Sequence, residues 1–309
     1  MSIVSERTGA WAREICGTGL GIGLGVGLEG VALAGHLLLY PGGFLQPEPW
    51  PPERPQHCGH LRRSQSVAES RLGQDRADGI GGAGGGVGGD GEALGGAHAP
   101  VLLLHGLFDN RAVFTLLRHN LHVHGWDHVH ALNYNPLTLD IPRAAALFGH
   151  QVEQARWIYG GERIAVVGHS LGGLIARYYV QRLGGSEHVH TLVTLGTPHQ
   201  GTVAAHALRA FPIVRQLLPG SEVISELGAP APECSTRFLC FWGGLDALIL
   251  PHQHARLDHP DLATENVLVR TAGHLSLPVH WEVLTRVREA LTDAQKSTPV
   301  RRVNSRQIA

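Results

Sequence analysis

The chain has 309 residues, a formal net charge of −1 and an apolar fraction of 43%. That length suffices for one large α/β domain with appendages. The near-zero charge excludes a basic nucleic-acid-binding surface, and arginine rather than lysine carries almost all the positive charge, Lys296 being the only lysine.

Residues 1–40 form an apolar N-terminal segment. From Ile15 to Tyr40 nearly every residue is apolar or glycine, and the stretch exceeds the roughly 20 residues needed to span a bilayer. Three readings fit it. A membrane anchor is opposed by Glu29 and His36 inside the stretch. A signal peptide would use Arg7, Arg13 and the Ala32-Leu33-Ala34 site, but Glu6 and Glu14 cancel its positive flank. The third is an apolar helix docked on the rest of the protein. Residues 41–99 follow as a Pro/Gly-rich linker that can bury no core. Its run from Gly79 to Gly86 follows no strand, so it is not read as a phosphate loop.

From Pro100 the pattern alternates strands and helices, as in a mostly parallel sheet covered on both faces. Strands are expected at Val101 to Leu104, His128 to Leu132, Ile164 to Val167, Val189 to Leu195, Thr236 to Trp242 and Asn266 to Val269. Helices are expected at Phe114 to His124, Pro142 to Tyr159, Leu171 to Leu183 and Trp281 to Leu291. The segment at about 203–230 is inserted between two strands. Its Phe211, Ile213, Val214, Leu217, Leu218, Val223, Ile224 and Leu227 make it amphipathic, suited to lining an apolar pocket or meeting a lipid surface, or else to packing on the sheet as a helical pair. The domain therefore runs over 100–295, with a tail at 296–309.

Gly168-His169-Ser170-Leu171-Gly172 lies between a short apolar strand and a helix. That is the context of a nucleophile elbow, where small neighbours admit a sharp turn and the serine stands at a helix N-terminus. Ser170 is the candidate nucleophile. The residue after it, Leu171, supplies one N–H to a developing oxyanion. The loop His105-Gly106-Leu107-Phe108 supplies the other, from Leu107 in preference to Phe108. The usual chain order puts an acid and then a base after the serine. Asp246 ends Gly243-Gly244-Leu245-Asp246 after a strand and is preferred to Asp258 and Asp261, which sit in a polar loop. His274 follows the last strand and is preferred to His280, which opens a helix.

Taken together, Leu104-His105-Gly106-Leu107, Gly168 to Gly173, Leu195-Gly196-Thr197-Pro198-His199-Gln200-Gly201-Thr202, Leu218-Pro219-Gly220-Ser221 and Ala272-Gly273-His274 resemble bacterial, actinobacterial-type triacylglycerol lipases and esterases of the α/β-hydrolase fold. The resemblance implies a triad of Ser170, Asp246 and His274 with oxyanion donors at Leu107 and Leu171. It implies hydrolysis of lipid esters such as acylglycerols through an acyl-enzyme, with no cofactor, and a small helical lid over the site at about 203–230. Gln200 departs from the usual glycine. Phe108, Phe211, Leu217 and Leu218 are the candidates for contact with substrate. A thioesterase or acyltransferase would share the triad, and a non-catalytic binding protein would share the fold.

The expected partners are a lipid or small ester and a membrane or lipid interface, with no nucleic acid, and a monomer is expected. Membrane association or export is favoured over a cytoplasmic location. His122 with His124, and His128 with His130, could pair on a metal, but no Cys or carboxylate completes a set and no metal site is assigned. His169 and His199 are read as neighbours of the elbow. Cys234 and Cys240 could form a disulfide in an oxidising compartment or remain free thiols.

Overall fold

The computed structural model describes residues 98–134 and 140–297, with side chains to residue 294. The apolar segment 1–40, the linker up to residue 97, Cys16, Cys58 and the tail from 298 lie outside the described residues. So do the three readings of the N-terminal stretch.

Six strands form one sheet in the order β2-β1-β3-β4-β5-β6, and every neighbouring pair is parallel. They are β1 (Val101–Leu104), β2 (Val129–Leu132), β3 (Ile164–His169), β4 (Val189–Leu195), β5 (Arg237–Gly243) and β6 (Ala263–Val269). The inner strands read as continuous apolar runs because both faces of a parallel sheet are covered. In β1, Leu102 and Leu104 face one core while Val101 and Leu103 face the other.

The first core is roofed by α2 (Ile141–Ile158) and α3 (Leu171–Arg182). Asp140 caps α2 by accepting the Arg143 N–H at 2.7 Å, and Pro142 occupies its first turn. Ile141, Ala144, Ala145, Phe148, Val152 and Ala155 then fall at helical spacing on the buried side. The second core is covered by α1 (Thr115–Val123) and α6 (Trp281–Ser297), through Leu117, Leu121, Val283 and Val287. Burying each such leucine contributes about 1.5–3 kcal/mol.

Several boundaries differ from expectation by a residue or two, and α6 runs past the expected Leu291 to Ser297; two further differences have a local cause. The helix expected from Phe114 starts as a 3-10 turn at Arg111–Phe114, because the Asn110 side chain accepts the Ala112 N–H and begins the turn early. Strand β6 begins three residues before Asn266. It is an outer strand, half-exposed over most of its length, so Ala263, Thr264 and Glu265 carry no apolar signal.

The insertion between β4 and β5 is built of short pieces: a 3-10 stretch at Val203–Leu208, then α4 (Pro212–Arg215) and α5 (Glu222–Leu227). Ser221 caps α5 through the Ile224 N–H. Three side chains of α3 hold its end. Arg177 donates to the Leu227 carbonyl, Arg182 to those of Ala229 and Pro230, and Tyr178 to Glu226. Cys234 and Cys240 are free thiols. Among the described residues no helix is long and apolar enough to cross a membrane.

Candidate active site

The loops that leave the C-terminal ends of β1, β3, β5 and β6 converge on one point, where open parallel sheets place their sites. Ser170 follows β3 directly and takes the N-cap position of α3 with φ 53° and ψ −122°. Among the described residues it is the only non-glycine with positive φ. The turn is fixed by its surroundings. The Ser170 N–H bonds to the Leu195 carbonyl at 2.8 Å, and the Ser170 carbonyl accepts from Gly173 N–H and the Thr197 hydroxyl. The flanking glycines answer to space: a Cβ on Gly168 would strike Gly173, and one on Gly172 would strike the Leu104 and His105 carbonyls.

Asp246 and His274 come together because the two loops that carry them pair by backbone. Gly244 N–H bonds to the Val269 carbonyl and Leu245 N–H to that of Ala272, both at 3.0 Å. Gly243 is needed there, since a Cβ would meet the Ala272 oxygen at 2.5 Å. His274 Nδ1 donates to Asp246 Oδ2 at 2.8 Å, and Asp246 Oδ1 accepts the Leu248 and Ile249 N–H groups at 2.8 and 2.9 Å. Burial opposes ionisation of Asp246, but the His274 ring and the two backbone donors outweigh it and hold the carboxyl below its ordinary value. With its proton on Nδ1, His274 keeps Nε2 as an acceptor. Of the rival acids, Asp258 forms an exposed pair with Arg256, and Asp261 accepts the Ala231 N–H. His280 is buried against Thr271.

The loop after β1 is fixed by His105. Its Nδ1 donates to the Gly106 carbonyl at 2.9 Å, its Nε2 accepts the Tyr134 N–H, and its ring stacks on Tyr134. Burial keeps it neutral, with its pKa pushed down to about 4. A trans peptide whose carbonyl is held toward His105 turns its N–H the other way, so the Leu107 N–H faces away from that ring. The side chain of Leu171 is fully buried, leaving its backbone as its contribution at the start of α3.

Ser170 and His274 open on an apolar cavity of about 470 Å³. Phe108 and Leu217 line it as expected; Phe211 and Leu218 do not. Phe211 precedes the single turn α4 and its ring is turned to solvent. Leu218, adjacent to Leu217, points to the other side of the chain and packs on the core. Val214, one of the apolar residues expected on the pocket side of the insertion, also lines it, while Ala205, Leu208, Leu248, Ile249 and Leu275 take part and were not anticipated. The apolar run Leu248-Ile249-Leu250 directly after Asp246 was the available signal.

The remaining histidines find ordinary partners. His199 is buried neutral between Thr194 and Arg177. His130 bonds to the Tyr159 hydroxyl, and His124 to the Asn120 carbonyl and Arg288. Among the described residues no three His, Cys, Asp or Glu side chains are grouped to hold a metal ion. Gln200 sits in a backbone conformation open to any residue; the positive φ in that loop falls on Gly201.

Residues 100–228 match the palmitoyl protein thioesterase family. Among solved structures, the mature form of a Bacillus licheniformis lipase is similar at 16% identity and a TM-score of 0.52. The match covers 62% of this chain and 92% of that one. Aspergillus fumigatus lipase B is similar at 16% identity and a TM-score of 0.55, over 63% of this chain and 52% of that one. This chain thus spans about half the length of the fungal enzyme. Sheet order, strand polarity and these likenesses give the chain the α/β-hydrolase fold.

Proposed function

We propose that the protein is a serine hydrolase that cleaves acyl esters of lipids through an acyl-enzyme on Ser170. The observation that carries this reading is that the His274 of the Asp246–His274 pair and a strained serine at the start of a helix line the same apolar cavity. His274 Nε2 takes the Ser170 proton as the hydroxyl attacks the acyl carbon. Asp246 fixes the ring and stabilises its charged form. The Leu107 and Leu171 N–H groups receive the oxyanion. His274 then protonates the leaving group, and water, activated by the same base, releases the acid. The insertion supplies much of the apolar wall, which suits an acyl chain such as that of an acylglycerol.

The match to palmitoyl protein thioesterases favours a second reading, in which the acyl group leaves sulfur rather than oxygen. The two share every step above. Hydrolysis of p-nitrophenyl esters from acetyl to palmitoyl, beside palmitoyl-thioester peptides, separates them when kcat/KM values are compared. Ser170→Ala must abolish turnover in either case, by several orders of magnitude. Turnover that survives it refutes the assignment. The narrower likeness to actinobacterial lipases rests on the Gly196 to Thr202 segment and the other motifs that share its pattern. Residues 15–40 support an exported or membrane-associated protein, which fractionation of the expressed full-length chain tests. A monomer acting on a lipid interface completes the reading.

A further inference from the structure

His169 stands directly before Ser170, yet its ring lies beside the triad rather than in it. Its Nε2 is 3.1 Å from the carbonyl oxygen of His274, and its Nδ1 is 3.1 Å from Asp109 Oδ2. A carbonyl oxygen has no proton to give, so Nε2 carries an N–H. One further proton lies between Nδ1 and Asp109, on nitrogen or on oxygen. Either placement leaves the buried pair with no net charge.

We propose that His169 and Asp109 are positioning residues that bridge the base loop and the oxyanion loop to the nucleophile's own strand. The proposal rests on the roles given above to Ser170, Asp246 and His274. Asp109 lies two residues after Leu107, on the loop that follows β1. His169 is the last residue of β3. The His274 carbonyl belongs to the loop that follows β6. One imidazole thus ties the donor, the nucleophile and the base together.

Asp246 orients the ring of His274, whereas His169 holds its backbone. The two rings are 4.9 Å apart and tilted by 44°. The bridge leaves little slack: a Cβ on Gly106 would lie 3.1–3.3 Å from Asp109, Ser170 and His169 at once. The bridge acts by placing His274, whose backbone carbonyl it holds. Its loss therefore slows the chemical step and leaves substrate binding alone.

Two substitutions at one position separate this from packing. In His169→Gln the amide nitrogen can stand where Nε2 stood and still donate to the His274 carbonyl. In His169→Asn it can reach only the Asp109 side. The full-length proteins are labelled to completion with a fluorophosphonate to count competent sites, then assayed per titrated site on p-nitrophenyl butyrate. His169→Asn is expected to lower kcat and the labelling rate about 100-fold, the penalty of roughly 1 Å of misplacement. Its KM should stay within about threefold, and His169→Gln should recover most of the loss. At the other end, Asp109→Ala should be slow and Asp109→Asn, which still meets Nδ1, should recover. A reduced titre with wild-type rate per site makes the residues structural and overturns the proposal, as does His169→Asn matching His169→Gln. A wild-type protein that is never labelled refutes the serine-hydrolase reading beneath it instead.

Discussion

Asp246→Asn tests the site most sharply, because the structure dictates how the new amide must sit. Oδ1 accepts two backbone N–H groups, from Leu248 and Ile249, while Oδ2 accepts one ring N–H from His274. An asparagine has one oxygen and one NH₂. Placing the oxygen toward the two fixed backbone donors satisfies both; the opposite orientation sets NH₂ against two N–H groups in a buried site, at about 1–3 kcal/mol for each unsatisfied group. The amide NH₂ therefore faces His274 Nδ1. That nitrogen must then accept, and the ring proton moves to Nε2, the atom that should receive the proton of Ser170. The expected loss in kcat is about 10⁴-fold, with the fold retained. Asp258→Asn, in an exposed pair with Arg256, removes an interaction worth at most about 1 kcal/mol and should leave kcat unchanged. Burst-phase kinetics on a p-nitrophenyl ester, normalised to titrated sites, gives both numbers. A kcat for Asp246→Asn within tenfold of wild type, or a larger loss in Asp258→Asn, would refute the reasoning.

Further outcomes are expected. Leu217→Trp fills part of the cavity and should lower the palmitoyl-to-acetyl ratio of kcat/KM by about tenfold or more, while fluorophosphonate labelling proceeds as before; an unchanged ratio would place the acyl chain elsewhere. Gly172→Ala sets helix propensity, worth about 1 kcal/mol in favour, against a collision with two backbone carbonyls. Overpacking, at about 1–3 kcal/mol, wins, so the melting temperature and activity should both fall. Acid should destabilise the fold. Burial is the largest cause that pushes His105, His130 and His190 each down to about 4 from the usual 6.5. Between those values the unfolded chain binds protons that the folded chain refuses. Stability is thus fully present above pH 6.5 and falls as pH drops toward 4, by up to about 1.4 kcal/mol per pH unit for each histidine. Urea midpoints at pH 7.5, 5.5 and 4.5 measure it, and a flat profile would show these rings to be hydrated.

The inner strands were legible because burial on both faces leaves unbroken apolar runs such as Val101-Leu102-Leu103-Leu104 and Val189 to Leu195. Ser170, Asp246 and His274 were legible because each follows such a run at a glycine-marked turn. Strand β6 was half hidden because an outer strand needs few apolar residues. The cavity wall was the least legible part. Whether Leu217 or Leu218 lines it depends on the turn that follows a four-residue helix, which spacing over so short a stretch cannot fix. The contacts of His169 with Asp109 and with His274, 60 and 105 residues away, arise from sheet order and not from any local pattern.

The place of His274 after the outermost strand ties hydrolysis to the stability of one margin of the sheet. Among the described residues strand β6 has a neighbour on one side alone and is largely half-buried, whereas β1, β3 and β4 lie between strands and under helices. Local opening begins where buried contacts are fewest. Mild heat or denaturant that loosens this margin withdraws His274 from Asp246 while the centre still gives the circular-dichroism signal of a folded protein. Turnover then reports the state of this margin, and inactivation precedes global unfolding.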